Sequence, residues 1–256
     1  MKIRERGKYD YNFDIFADKF ERSIYQTFKG EWRLQLLKED LGEIYSGDRL
    51  NVLDAGCGLG QLALWFAQRN HNLICCDISY KMLERAKANF QREGVKAQFF
   101  QKPLQELELP QQDLVLFHAV IEWLAKPMEG LRVVGERVKH GGYLSILFFN
   151  SNSIVYKNML KGEWRFDIIL EKKWYGRGKR LTPPYPQKPH QIRNWLLENG
   201  FEIVQQTAIR VFHDYMEPEV LERSDMEKLK RLEYMHCREE TFKDMGRYIH
   251  ILAKKI

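Results

Sequence analysis

Phe16, Phe20, Ile24 and Phe28 recur every four residues, the spacing of an amphipathic helix. Gly30 is expected to interrupt that helix, and Leu37, Leu41 and Ile44 to carry a second one to the turn at Ser46-Gly47-Asp48. A different rhythm then begins. Apolar runs at 50–54, 73–77, 97–100, 113–119 and 143–149 alternate with longer amphipathic segments at 61–69, 79–93 and 127–139. Strands alternating with helical segments predict βαβ units, hence a parallel sheet with helices on both faces. The gap between 101 and 113 is too short for much helix. After the fifth run the rhythm stops, and the prolines of "LTPPYPQKP" forbid regular structure there. Helical spacing returns in "QIRNWLLENGF", with Gly200 as its stop. Two strand-like runs follow, at 202–212 and 247–254, around a charged helical stretch near 219–240. The expectation is one α/β domain over 1–256, with a mostly parallel, seven-stranded Rossmann-like sheet. Its parts would be N-terminal helices (12–46), a core (47–150), an insertion after the fifth strand (151–190) and closing elements (191–256).

Composition narrows this little: 44% hydrophobic and 30% charged residues are ordinary for a globular chain of 256 residues. No apolar run approaches the ~20 residues that cross a bilayer, and the charged start "MKIRERGKYDYNFD" lacks the apolar region of a secretory signal. Cysteines 57, 75, 76 and 237 show no metal or redox spacing, so reduced thiols in a cytoplasmic protein are expected, with no metal. The net charge of +6 has an address. Between Ser151 and His190 nine Lys or Arg face three acids, while the rest of the chain carries 32 of each sign. Such an excess suits a polyanion, or is a solvated loop; charge alone leaves both open.

The chemistry begins at "LNVLDAGCGLGQLALWFAQR", where glycines follow a strand and open a helix, as in nucleotide-binding turns. Asp54 sits two residues before Gly56, in D-x-G-x-G-x-G. A carboxylate there repels a pyrophosphate but suits a cation, which favours S-adenosylmethionine over a dinucleotide. Asp77, 21 residues after Gly56 at the end of the second strand, is placed to accept both ribose hydroxyls; alternatively it caps the helix near Ser79. Leu104 and Gln105 fall in the loop expected beside the adenine. His118 ends the fourth strand and should face the same crevice, or serve as a structural hydrogen-bonder. The expected class is therefore a class I methyltransferase.

Beyond this core, "KGEWR", "FHAVIEW", "LTPPYP", "RVFHDY" and "GRYIH" together resemble the bacterial tRNA methyltransferases that esterify 5-carboxymethoxyuridine at the wobble position. The likeness runs from about Asn12 to the last strand. It implies S-adenosylmethionine as donor and the tRNA anticodon arm as partner. It also implies that Arg33 reaches the cofactor alongside Gly56, Cys57, Gly58, Asp77, Leu104, Gln105 and His118.

A carboxymethoxy acid, with a pKa of roughly 4, is already ionised at neutral pH, so no catalytic acid or base is expected. What the reaction needs is an arginine to receive the carboxylate. Arg210 and Arg247 are the candidates, with Tyr185, Arg180 and His213 in support; each could instead be a surface ion pair. Lys172, Lys173, Arg177 and Lys179 would meet RNA phosphates, and Trp174 and Tyr175 would stack on an unpaired base or anchor the loop. The rivals are a methyltransferase of a small acid or quinone precursor, and a non-catalytic tRNA-binding or cofactor-sensing protein.

Overall fold

The computed structural model describes residues 9–20, 27–171 and 182–256. Seven strands form one sheet: β1 (Asn51–Ala55), β2 (Asn72–Cys76), β3 (Gln98–Phe100), β4 (Gln112–His118), β5 (Val138–Phe149), β6 (Phe201–Ile209) and β7 (Tyr248–Lys255). Their order is β3-β2-β1-β4-β5-β7-β6, and only β7 runs antiparallel to its neighbours. Central strands of such a sheet are covered on both faces. That is why β4 reads as an unbroken apolar run: Leu114, Val115, Leu116 and Phe117 are all fully buried.

Helices α1 (Ala17–Phe20), α2 (Phe28–Asp40) and α3 (Gly42–Ser46) precede the sheet, and α4 (Gln61–Ala67), α5 (Tyr80–Arg92) and α6 (Pro127–Glu136) lie in its crossovers. In α5 the buried residues are Met82, Leu83, Ala86 and Phe90, one helical face, and Ser79 caps the first turn by accepting from the Met82 amide at 3.2 Å. Helices α7 (Ser151–Met159), α8 (Phe166–Leu170) and α9 (Pro189–Glu198) separate β5 from β6, and α10 (Pro218–Glu222) and α11 (Met226–His236) separate β6 from β7. Gly200, at φ +75°, ends α9 as its position suggests.

Three local expectations are corrected. Gly30 interrupts nothing: it lies in the first turn of α2, where the Thr27 hydroxyl accepts its amide at 3.3 Å. The buried face of α2 is Trp32, Arg33, Leu36 and Leu37; of the periodic positions Phe16 precedes α1, Phe20 ends it and Phe28 opens α2, while Ile24 lies outside the described residues. Helix α7 forms where no rhythm is legible, because Asn150 caps it through the Asn152 amide at 2.9 Å. The charged stretch near 219–240 is two helices, broken where Asp225 caps α11 by accepting from Glu227 and Lys228.

Candidate active site

The sheet reverses its winding between β1 and β4, and a crevice opens at the carboxyl ends of the strands there. It is lined by Asp54, Gly56, Cys57 and Gly58 from β1 and its turn, by Asp77 after β2, by Leu104 and Gln105, by His118, and by Arg33 of α2. All nine residues expected at a cofactor thus meet in one cavity.

The turn after β1 is held by backbone geometry. Gly56, Gly58 and Gly60 have φ of +77°, +54° and +69°, a region that L side chains rarely adopt. The amides of Gly56 and Cys57 both donate to the Cys76 carbonyl, at 2.8 and 2.9 Å. Asp77 ties this turn to the next helix, accepting from the Gly58 amide at 2.9 Å and the Ser79 amide at 2.8 Å. The helix cap itself is Ser79, so Asp77 bridges rather than caps.

Three carboxyl groups, those of Asp10, Asp54 and Asp77, line the cavity beside Arg33 and Lys102, and among the described residues no lysine or arginine is ion-paired to Asp54 or Asp77, the two at the glycine turn. Burial, then the neighbouring Asp77, pushes Asp54 up to about 7. Burial likewise raises Asp77, against the amides of Ser79 and Gly58. Such a pair is relieved by a cationic ligand and made worse by an anionic one. The residues present therefore fit a sulfonium cofactor bearing an ammonium group.

Several features of the cavity were not legible in sequence. Asp10, Tyr11 and Phe13 lie over it: the Tyr11 amide donates to the Trp123 carbonyl at 3.1 Å, and Asp10 accepts from the Ala125 amide at 2.8 Å. The rings of Tyr11 and Phe13 stand 5.2 and 4.9 Å from that of Trp123, which completes the apolar wall. Asp14 pins the same segment to α5 through the Ser79 hydroxyl at 2.7 Å. Next to the cavity wall but not lining it, Glu122 is fully buried with neither carboxyl oxygen hydrogen-bonded among the described residues. Burial pushes it up to about 8, despite nearby amides and the Arg33 charge.

The four described candidates for the acceptor side do not line this cavity; they lie around it. Tyr185 docks its loop on the segment after β4, its amide donating to the Glu122 carbonyl at 3.1 Å. Arg210, at φ +62° just past β6, forms a buried ion pair with Asp214 at 2.5 Å. Arg247 lies 4.4 Å over the Phe149 ring. His213 is buried, its Nδ1 3.8 Å from Asp214. Tyr248 joins the two regions: Arg33 of the cavity is 6.0 Å from its ring centroid and Arg210 is 5.4 Å from it. Gly246 opens this motif because a Cβ there would lie 2.6 Å from the backbone of both Ile209 and Tyr248. Lys172, Lys173, Trp174, Tyr175, Arg177, Lys179 and Arg180 lie outside the described residues.

All four cysteines are free, buried thiols. Among the described residues no His, Cys, Asp and Glu cluster could hold a metal ion, and no helix is long and apolar enough to cross a membrane.

The sheet order, the glycine turn and the acidic cavity define a class I methyltransferase that uses S-adenosylmethionine, and residues 52–142 match the family model described as "Methyltransferase domain". Among solved structures, magnesium protoporphyrin IX methyltransferase from Synechocystis PCC 6803 with bound SAH superposes with a TM-score of 0.62 at 18% identity, covering 95% of this chain and 96% of that one, a likeness of fold. The ubiquinone biosynthesis O-methyltransferase of Rickettsia canadensis (strain McKiel) is 26% identical over 67% of this chain and 71% of its own. The tRNA 5-carboxymethoxyuridine methyltransferase of Escherichia coli (strain K12) is 40% identical over 96% of this chain and 97% of its own. The chain belongs to the tRNA 5-carboxymethoxyuridine methyltransferase family.

Proposed function

We propose that the protein transfers the methyl group of S-adenosylmethionine to the carboxylate of 5-carboxymethoxyuridine at the wobble position of a tRNA anticodon, giving the methyl ester. The observation that carries this reading is an excess of cations beside the cavity. Burial opposes ionisation of Asp214, yet Arg210, Lys29 and Arg247 hold it well below the ordinary carboxylate range. Lys157 donates to the Asp214 carbonyl, and its own pKa is lowered by burial and by neighbouring Arg247, Lys161 and Lys29. Three further cations, Lys29, Lys157 and Arg247, thus surround the one Arg210–Asp214 ion pair. A second anion is the natural occupant, and the acceptor supplies one. The name of the relative that is 40% identical agrees with that choice.

In this reading Asp77 receives the ribose hydroxyls, Leu104 and Gln105 border the adenine, and Arg33 and His118 hold the methionyl end. Asp54 faces its positive charge. Bound S-adenosylmethionine supplies an electrophilic methyl group, and the protein's part is orientation. The acceptor oxygen must sit about 3–3.5 Å from the methyl carbon, in line with the bond that breaks. A carboxylate that is already ionised needs no base, so no side chain has to move a proton. An arginine whose fork donates one hydrogen bond to each oxygen occupies one lone pair on each and leaves the second lone pair of an oxygen free to attack. The Tyr11–Phe13–Trp123 wall keeps water from competing for the methyl group. The basic run Lys172, Lys173, Arg177, Lys179 and Arg180 is assigned to phosphates of the anticodon arm, where base-independent contacts position the substrate.

The test is mass spectrometry of nucleosides from tRNA that still carries free carboxymethoxyuridine, after incubation with the protein and S-adenosylmethionine. The expected result is one added methyl on that nucleoside and none on tRNA lacking the carboxymethoxy group. No gain, with cofactor still bound, overturns the assignment of the acceptor. Charge reversal at Lys179 and Arg180 should weaken action on tRNA and leave cofactor binding unchanged.

A further inference from the structure

A chain of buried polar groups runs from the cavity across strands β4, β5 and β7 to the end of helix α2. His118 Nε2 lies 2.8 Å from the Ser145 hydroxyl, which lies 2.8 Å from His250 Nε2. His250 Nδ1 then lies 2.6 Å from Asp40 Oδ2, and Asp40 Oδ1 accepts from Arg238 at 2.8 Å. The three central members sit on neighbouring strands β4, β5 and β7, Asp40 ends helix α2, and Ser145 and His250 are fully buried. Burial opposes ionisation of Asp40, but hydrogen bonds from His250 and Arg238 keep its carboxyl below the ordinary value. It is therefore a carboxylate.

The proton positions follow from donor counting. A carboxylate only accepts, so His250 carries its proton on Nδ1. Arg238 pairs with Asp40 at 2.8 Å and reaches Glu39, which is partly exposed, only at 3.8 Å, so a second ring proton on fully buried His250 would have no close carboxylate of its own. His250 Nε2 therefore accepts, and the single hydroxyl proton of Ser145 points at it. The Ser145 oxygen is left to accept from His118, whose proton must then sit on Nε2. The nitrogen remaining for the cavity that His118 lines is Nδ1, with its lone pair exposed.

We propose that Asp40, acting through His250 and Ser145, is a positioning residue that fixes His118 as the Nε2–H tautomer, so that Nδ1 accepts a hydrogen bond from an N–H or O–H donor of the bound cofactor. A second-residue partner that sets a histidine's tautomer is a general device of active sites. The proposal rests on the reading of His118 as a cofactor contact.

Long-range nitrogen–proton NMR on the histidine-labelled full-length protein tests both parts separately. The wild type should show His118 as Nε2–H. In Asp40→Asn the amide oxygen is drawn to Arg238 and its NH2 faces His250, which reverses every bond in the chain. His118 should then appear as Nδ1–H, and S-adenosylmethionine should bind about tenfold more weakly, the worth of one hydrogen bond to a charged group. Should that variant not fold, Ser145→Ala, which keeps the Asp40–Arg238 pair, should give a mixture of tautomers. An Nδ1–H signal in the wild type, or an unchanged tautomer in the variants, overturns the proposal. A switched tautomer with unchanged cofactor affinity refutes the contact between His118 and cofactor while the proton chain stands.

Discussion

The Arg247 amide donates to the Arg210 carbonyl at 3.1 Å, so one backbone bond sets both candidate receivers of the substrate carboxylate side by side. Their side chains are not equivalent. Arg210 is committed to Asp214 at 2.5 Å and is buried. Arg247 lies over Phe149, reaches the Ser153 hydroxyl at 3.4 Å, and pairs with no carboxylate among the described residues. Arg247→Lys keeps the charge but loses the bidentate fork, and should lower kcat/KM for tRNA by about 10- to 100-fold with cofactor affinity unchanged in calorimetry. Arg210→Ala should instead cost about 3 kcal/mol in denaturant unfolding, because it strands Asp214 in the interior. A folded Arg210→Ala with selective loss of tRNA activity would exchange the two roles.

Cofactor affinity should rise with pH through the neutral range. Asp54 sits near 7 because burial and Asp77 disfavour its charge. A cationic ligand binds the ionised form better, so binding expels a proton, and affinity climbs as pH passes from about 6 to 8. Titration calorimetry in buffers of differing ionisation enthalpy should detect the released proton at pH 6.5. Asp54→Asn should flatten the profile. S-adenosylhomocysteine, which lacks the sulfonium charge, should show a shallower slope, and equal slopes for the two ligands would place the linkage elsewhere.

What could be read in advance divides by distance along the chain. The strands announce themselves because each is covered on both faces and so appears as an apolar run, with β4 the plainest case. The nine cavity residues fall largely in successive strand-end turns, where position in the fold follows from position in the sequence. Helix breaks depend on single caps: Asp225 divides a segment whose charge pattern looks continuous. The Asp10–Phe13 segment over the cavity and the chain from His118 to Asp40 have no local signature at all. Asp10 meets the Ala125 amide across 115 residues and His250 meets Asp40 across 210. Glu122 escaped for a related reason, since an acid beside Trp123 in a short turn gives no sign that both of its oxygens will be buried.

Glu122 should make the fold less stable as pH rises. Its pKa goes from an ordinary 4.5 to about 8 in the native state through burial. Below 4.5 both folded and unfolded chains hold the proton, and Glu122 imposes no pH-dependent penalty. Between 4.5 and 8 the unfolded chain releases it while the folded chain retains it, so stability falls, and above 8 the loss is complete. At roughly 1.4 kcal/mol per unit the total is on the order of a few kcal/mol. Glu122→Gln removes this slope. Urea unfolding at pH 5 and pH 8 should show the variant gaining on the wild type at the higher pH; parallel lines would mean that the carboxyl is satisfied in solution.

Gly56 should tolerate no side chain, for two separable reasons. Its φ of +77° strains any L residue, and a Cβ would come within 2.4 Å of a methyl of Val120, which follows the neighbouring strand β4. Gly56→Ala should therefore cost about 2–4 kcal/mol, the sum of left-handed backbone strain and overpacking. It should also weaken S-adenosylmethionine binding, because the turn and Val120 would move apart. Val120→Ala removes the steric part alone. In the double variant Gly56→Ala/Val120→Ala, about half of the lost stability should return, leaving the backbone strain. A double-mutant cycle by urea unfolding measures this coupling directly. Strict additivity would mean that Val120 yields freely and that the turn's conformation alone demands the glycine.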